Sequence, residues 1–167
     1  MSEERYADPA LAKRIIEYFK PSGWMLDPCR GAGASYDHLP GNRNFWGDQK
    51  WWCEIREGRD FLDWQTRVDW ILTNPPWGME GYSEIAQHAF ELATNVVFLV
   101  RLTLAIGTMA RHRDFREQGH GLKLIIVLPW EDAGFPSEGF VLSVCHWQRN
   151  WFGPTVNRRP ELDPLRH

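Results

Sequence analysis

The chain has 167 residues, with 19 Lys or Arg against 22 Asp or Glu and a formal charge of −3. That length suits one domain with a substantial core, and the mild negative charge excludes a protein held on nucleic acid by bulk charge while leaving room for a local basic face. Three cysteines, Cys29, Cys53 and Cys145, form no Cys-x-x-Cys pair, so neither a zinc site nor a disulfide framework is indicated, and a reducing, cytoplasmic setting is expected.

In chain order, Asp8-Pro9 opens a helix, with Asp8 as cap and Pro9 in the first turn. Leu11, Ile15, Ile16 and Phe19 give it an apolar stripe, and Pro21-Ser22-Gly23 ends it. A short strand, Met25-Leu26, runs into Asp27 and then Pro28-Cys29-Arg30-Gly31-Ala32-Gly33-Ala34. Ser35 to Leu39 follows and can start a helix that ends near Pro40-Gly41. Glycines at a strand-to-helix turn let a ligand approach the backbone, and a helix N-terminus favours polar or anionic groups. A third glycine at the dinucleotide spacing would fall at Tyr36, which disfavours a nicotinamide dinucleotide site. The plain alternative for Asp27 is a cap of this loop.

A second strand is expected over Asn44-Phe45-Trp46-Gly47, closing at Asp48. An acid at the end of a second strand can bind ribose hydroxyls. Glu54 is the rival, but it begins the expected third strand, Cys53 to Arg56, so Asp48 is preferred. Gly58-Arg59-Asp60-Phe61-Leu62 follows. There Asp60 can accept from an adenine amine and Phe61 can cover the ring; the alternative for Asp60 is a helix cap.

The apolar run Val68 to Thr73 reads as a fourth, buried strand that breaks at Asn74-Pro75-Pro76-Trp77. Two prolines remove two backbone donors and stiffen the chain. The Asn74 and Pro75 carbonyls and the Asn74 amide oxygen can then accept from a planar ring bearing an exocyclic NH2, with Trp77 as a stacking face. On these four residues alone, a turn that only ends a strand is an equal reading; the stations upstream decide. Tyr82 to Ala93 is helical, with Ile85, Ala89 and Leu92 inward. Strand Val96 to Val100, a helix over roughly Leu104 to Glu117, strand Leu122 to Leu128, a turn over Glu131 to Gly139 and strand Phe140 to Trp147 complete the pattern. It predicts a mostly parallel α/β sheet with an antiparallel edge. The tail, 153–167, is read as a loose or docking end. Trp70 and Trp147 are candidate core residues among the ten tryptophans. The six histidines show no metal spacing. Arg111, His112, Arg113 and Arg116 read as a solvated face in preference to a phosphate contact, as do Arg149, Arg158, Arg159 and Arg166. The polar start, Met1 to Arg5, carries no signal-peptide pattern. No apolar run reaches ~18 residues, so no membrane span is expected.

Taken in order, Asp27-Pro28-Cys29-Arg30-Gly31-Ala32-Gly33, Asp48, Asp60-Phe61 and Asn74-Pro75-Pro76-Trp77 resemble the class I S-adenosylmethionine-dependent methyltransferases. More narrowly they resemble the N6-adenine (amino) methyltransferases. The similarity extends through Asn95 to Leu102, with its trailing Arg-Leu, and through Leu124 to Pro129 and Phe140 to Trp151. Cys29 departs from the Phe that many relatives carry against the methionine part of the cofactor. The resemblance implies a Rossmann-like fold: a seven-stranded, mostly parallel sheet with an antiparallel final strand and helices on both faces. It implies S-adenosyl-L-methionine as cofactor, S-adenosyl-L-homocysteine as product and no metal. The implied cofactor residues are Asp27, Pro28, Cys29, Gly31, Gly33, Asp48, Asp60, Phe61 and Asn74. Asn74, Pro75 and Trp77 would act on the substrate.

The implied activity is methylation of the adenine N6 amine in DNA or RNA. Duplex structure hides that amine, so the base must be flipped or already single-stranded. Sequence-specific relatives usually carry a recognition segment, and 78–95 holds only one helix's worth of chain. A single methyltransferase domain without a target-recognition domain is therefore expected, with low specificity or a partner subunit supplying recognition. Two other classes stay open. One is methylation of a protein glutamine or guanine N2, whose enzymes share the Asn-Pro-Pro turn but more often with Tyr or Phe. The other is a cofactor-binding, non-catalytic subunit.

Overall fold

The computed structural model describes residues 7–41, 49–107, 115–128 and 140–158. Helix α1, Pro9–Phe19, starts as its sequence dictates: the Asp8 side chain accepts from the Ala10 N–H at 2.7 Å, and Pro9 stands where no donor is needed. It ends at Lys20, whose left-handed backbone returns its N–H to the Ile16 carbonyl. Strand β1 (Trp24–Asp27) follows, then β2 (Gln49–Trp52) and β3 (Val68–Thr73). Helix α2 (Met79–Leu92), β4 (Ala93–Arg101), the short α3 (Leu102–Ile106), β5 (His120–Leu128), β6 (Leu142–Arg149) and β7 (Val156–Arg158) complete the order.

The seven strands form one sheet in the order β2-β1-β3-β4-β6-β5-β7. Pairings from β2 to β4 are parallel, β6 is antiparallel to both β4 and β5, and β7 is parallel to β5. The expected seven-stranded, mostly parallel Rossmann-like sheet is thus present, and its antiparallel member is β6. Alternate residues of each strand feed opposite faces. Leu26, Ile71, Val96, Phe98 and Val100 pack under α2 through Tyr82, Ala86 and Phe90. Met25, Leu72, Val97 and Leu99 pack on the other face against Leu11, Ile15 and Ile16 of α1. Burying both faces is what a central parallel sheet requires, and it accounts for the continuous apolar runs in β3 and β4. Trp147 is buried in the α2 face, whereas Trp70 is half-buried and stacked on His146.

The elements differ from expectation in four places, three of them in the sheet. The strand beside β1 is Gln49–Trp52, paired from Trp24↔Gln49 to Asp27↔Trp52, and not the stretch closing at Asp48. Asp48 and 42–47 lie outside the described residues. The expected third strand, Cys53 to Arg56, is a tight turn: Glu54 bridges Arg59, and Ile55–Glu57 forms a 3-10 turn capped by left-handed Gly58. The long helix from Leu104 begins instead at Leu102, and α3 stops at Ile106; 115–117 are helical, and 108–114 lie outside the described residues. The tail supplies the seventh strand, because Val156–Arg158 adds to the open edge of β5, and Thr155 Oγ1 donates to the Leu122 carbonyl. Its remainder, 159–167, and the expected turn over Glu131 to Gly139 lie outside the described residues.

Candidate active site

The chain runs from β1 outward to β2 and then crosses back to β3 on the other side of β1. That reversal opens a crevice beyond the carboxyl ends of β1 and β3, the place where open α/β sheets bind ligands. A cleft of about 1120 Å3 lies there. Its size is at the top of the ~300–1,000 Å3 range of small-ligand pockets. Asp27, Pro28, Cys29, Gly31, Asp60, Phe61, Asn74, Pro75 and Trp77 all line it. Three of the four sequence stations, spread over residues 27–77, therefore meet in one place.

Asp27 ends β1 and is almost wholly buried. Thr73, at the end of β3, donates its hydroxyl to Asp27 Oδ1 at 2.7 Å, so one hydrogen bond spans the mouth of the crevice. The Cys29 N–H donates to the same oxygen at 3.2 Å. Burial nonetheless pushes the Asp27 carboxyl up to about 6, against the pull of these bonds. Cys29 is held protonated by burial and by the adjacent Asp27 charge, which suits a wall residue and not a nucleophile.

The glycine loop is tied to the segment after β2. The Arg30 N–H donates to the Cys53 carbonyl at 3.0 Å, and the Gly31 N–H donates to Glu54 Oε2 at 2.8 Å. The Arg30 guanidinium, stacked over Trp52, also pairs with Glu57. Gly31 has a left-handed φ of 53°, a conformation glycine adopts without strain. Gly33 also has a positive φ, 94°, but it does not line the cleft: an added Cβ would sit 3.0 Å from Asp37 Oδ2, so this glycine shapes the turn.

Glu54 follows the C-terminal end of β2, lines the cleft and faces the loop. Its Oε1 accepts from the Arg56 N–H at 3.2 Å. A carboxylate has about four lone-pair sites, so two remain for hydroxyl donors. Gln49, by contrast, starts β2 at the end of the sheet remote from the loop. The preference for Asp48 over Glu54 rested on a strand closing at Gly47, and the strand that pairs with β1 begins only after Asp48. Register, which the sequence does not print, moves the acid at the strand end to Glu54.

Asp60 caps a 3-10 turn, Phe61–Asp63, by accepting from the Leu62 N–H at 3.0 Å, and it lines the cleft as well. The cap and the ligand-facing position are compatible. Phe61 is nearly buried, edge-on to His88 at 4.8 Å, and forms a wall with exposed Ile55 and Leu62 beside it.

Asn74 to Trp77 follow β3 without regular secondary structure and lead into α2. Pro75 is buried and Asn74 is half-buried at the cleft. The Trp77 indole N–H donates to the Leu99 carbonyl near the end of β4 at 3.3 Å, and Phe140 meets the ring edge-on at 5.5 Å. The ring is therefore held across the end of the neighbouring strand. Arg101, Glu84, Ile85, Ser35 and Arg56 also line the cleft and were not singled out as site residues in the sequence; Ile85 is half-buried and packs against the α2-face core as well as lining the cleft. Among the described residues no group of three or more His, Cys, Asp or Glu is placed to hold a metal. No described helix is long and apolar enough to cross a membrane.

The sequence matches no protein-family model and no curated protein. Solved structures do resemble the fold. A modification subunit assigned to a type I restriction enzyme from Vibrio vulnificus superimposes with a TM-score of 0.69 at 17% identity, over 95% of this chain and 47% of its own. A protein from Listeria monocytogenes, assigned as a class I S-adenosylmethionine-dependent methyltransferase, gives 0.63 at 15% identity, over 93% of this chain and 64% of its own. A protein from Pyrococcus horikoshii, assigned as an RNA methyltransferase, gives 0.59 at 12% identity, over 84% and 83%. The chain thus spans less than half of the first of these and under two thirds of the second. At these identities the likeness establishes the fold, which is that of the class I methyltransferases.

Proposed function

We propose that this chain transfers a methyl group from S-adenosylmethionine to the exocyclic N6 amine of adenine in nucleic acid. One observation carries the reading: the cleft at the strand-order switch brings Asn74-Pro75-Pro76-Trp77 together with the Asp27–Gly31 loop. The residues present fit the cofactor. Glu54 has lone pairs left for ribose hydroxyls, Asp60 and Phe61 line the same cleft and can serve an adenine's edge and face, and Asp27 offers a carboxylate to an amine. In this reading the ribose acid is Glu54.

S-adenosylmethionine, when bound, supplies a methyl group already activated on a sulfonium, so the transfer needs neither a metal nor a covalent nucleophile. The chain's residues have two tasks. Asn74 and the Pro75 carbonyl accept the two N–H bonds of the amine, drawing its nitrogen toward sp3 and stabilising the positive charge that grows there. Trp77, fixed by its bond to Leu99, offers its face to the base. Alignment of the amine with the methyl group contributes several kcal/mol, up to roughly 7–11 in well-oriented models. In transfer, a C–N bond would form as the C–S bond broke with its electron pair left on sulfur, and the amine would then shed a proton to water.

Target choice is supplied by a partner subunit or is weak. Two of the fold neighbours are subunits of type I restriction-modification systems, and the chain covers less than half of each. The test is transfer of labelled methyl from the cofactor to DNA, RNA and protein, with product nucleosides and amino acids identified by mass. N6-methyladenine is expected, faster on single strands than on a paired duplex, where unstacking costs more. Methylglutamine or N2-methylguanine as the product would replace the adenine reading. Cofactor binding without transfer to any substrate would leave a binding subunit.

A further inference from the structure

Arg101 ends β4, one strand over from the Asn74–Trp77 turn, and lines the cleft. Its guanidinium carbon lies 4.4 Å from the Phe140 ring centroid and 5.3 Å from that of Trp77. The residue is half-buried, and its Nε is shut off from solvent without a hydrogen-bond partner among the described residues. Neither a carboxylate partner nor a carbonyl is recorded for its guanidinium among those residues. It stands at the N-cap position of α3, but its side chain makes no capping bond there.

Resting on the nucleic-acid reading above, we propose that Arg101 binds a backbone phosphate of the target strand and so positions the target base against Trp77. A guanidinium is always charged, has five donors and no acceptor, and its planar edge matches two phosphate oxygens. A cation–π contact with Phe140 consumes no N–H donor, so the terminal N–H groups, unlike the enclosed Nε, are left for a ligand. The other two cationic side chains that line the cleft differ from it. Arg30 is committed to Glu57 and Trp52, on the glycine-loop side, and Arg56 sits in the 3-10 turn after Glu54. Arg101 alone of the three adjoins Trp77. A base swung toward Trp77 brings its own phosphates with it, and a cation at the rim of the stacking platform meets them.

The experiment measures affinity for fluorescent single-stranded oligodeoxynucleotides across a salt series, in the presence of S-adenosylhomocysteine. One strand carries a single adenine in a thymine run and another is of mixed sequence. Arg101→Met keeps the stem on Phe140 and removes the charge; Arg101→Lys keeps the charge. Loss of one phosphate contact should shallow the slope of log affinity against log salt by about 0.7. For Arg101→Met we expect that change, by the same amount on both strands, with S-adenosylhomocysteine affinity unaltered. Arg101→Lys should keep the wild-type slope. An unchanged slope in Arg101→Met, or a loss confined to one strand as base reading would give, overturns the assignment. So does a Lys variant that loses the slope as the Met variant does. Wild-type methylation of nucleic acid alongside an unchanged slope ends only the role of Arg101; a wild-type protein that methylates no nucleic acid ends the reading beneath it.

Discussion

The two halves of the cleft are built in different ways. On the glycine-loop side, backbone N–H groups of Arg30 and Gly31 are bonded to Cys53 and Glu54, Thr73 is bonded to Asp27, and Arg30 is paired with Glu57. On the Trp77 side the contacts are ring on ring and guanidinium on ring, with one indole bond to the Leu99 carbonyl. The first construction preorganises acceptors for one ligand of fixed shape. The second presents apolar faces and a cation, which tolerate variation in what stacks and where its phosphate falls. A cofactor site and a polymer site make these different demands, and the contrast predicts which measurements each residue will move.

The sharpest break between the halves is expected at Asn74. On the proposed mechanism, Asn74→Ala removes the acceptor for the substrate amine, so it should abolish methyl transfer while leaving cofactor affinity, read by calorimetry, within a few-fold. Near-wild-type turnover would remove the amino-methyltransferase mechanism. On the opposite side, Glu54→Ala deletes the partner of the Gly31 N–H and the proposed ribose acceptor together. At ~1–3 kcal/mol for a lost charged hydrogen bond, cofactor affinity should fall roughly 5- to 150-fold. Asp48→Ala should change it less; the reverse ranking, measured the same way, would return the ribose role to Asp48. Trp77→Ala removes the platform, worth ~1–3 kcal/mol per stacked base, and should lower transfer roughly 5- to 150-fold at low substrate without weakening the cofactor. Trp77→Phe keeps a face but loses the Leu99 bond, so an intermediate rate is expected in the same assay.

The smallest effect concerns pH. Burial raises the Asp27 carboxyl to about 6. If its carboxylate receives the cofactor's amine, affinity should fall as the pH drops below about 6, tending toward tenfold per unit. Asp27→Asn should flatten that profile, and a flat profile in the wild type would place the amine elsewhere. For stability without ligand the sign is opposite. Between pH 3.8 and about 6 the folded Asp27 holds more proton than the unfolded one, so its contribution is present at low pH and lost as pH rises through about 6. His146 counters it: burial lowers its pKa from 6.5 to about 4, so its contribution is lost as pH falls through that window. Thermal melts of wild type and Asp27→Asn across pH 4 to 7 separate the two, since only the first retains the Asp27 loss.

What could be read along the chain was local. Asp8-Pro9 named the start of α1, because a capping carboxylate and a proline act within one turn. β3 ended at Thr73, directly before the two-proline segment, as expected, and Gly31 has a left-handed backbone that glycine adopts without strain. Those short-range signals located the glycine loop, Asp60-Phe61 and Asn74 to Trp77, which is most of the cleft. Pairing partners were not local. Asn44 to Gly47 and Gln49–Trp52 are both short, aromatic and plausible as strands; only the register against β1 selects Gln49–Trp52 and so turns Glu54 toward Gly31. The same holds for Val156–Arg158, whose sequence reads as tail until the free edge of β5 gives it hydrogen bonds to complete. Arg101 is the last case: the trailing arginine belonged to the resemblance, but no role followed until β4 lay beside β3 and set its guanidinium next to both Phe140 and Trp77. Caps, turns and glycine loops are decided by neighbours within a few residues, whereas edges, registers and the company a side chain keeps are decided by segments far apart in sequence, and only the folded sheet brings those together.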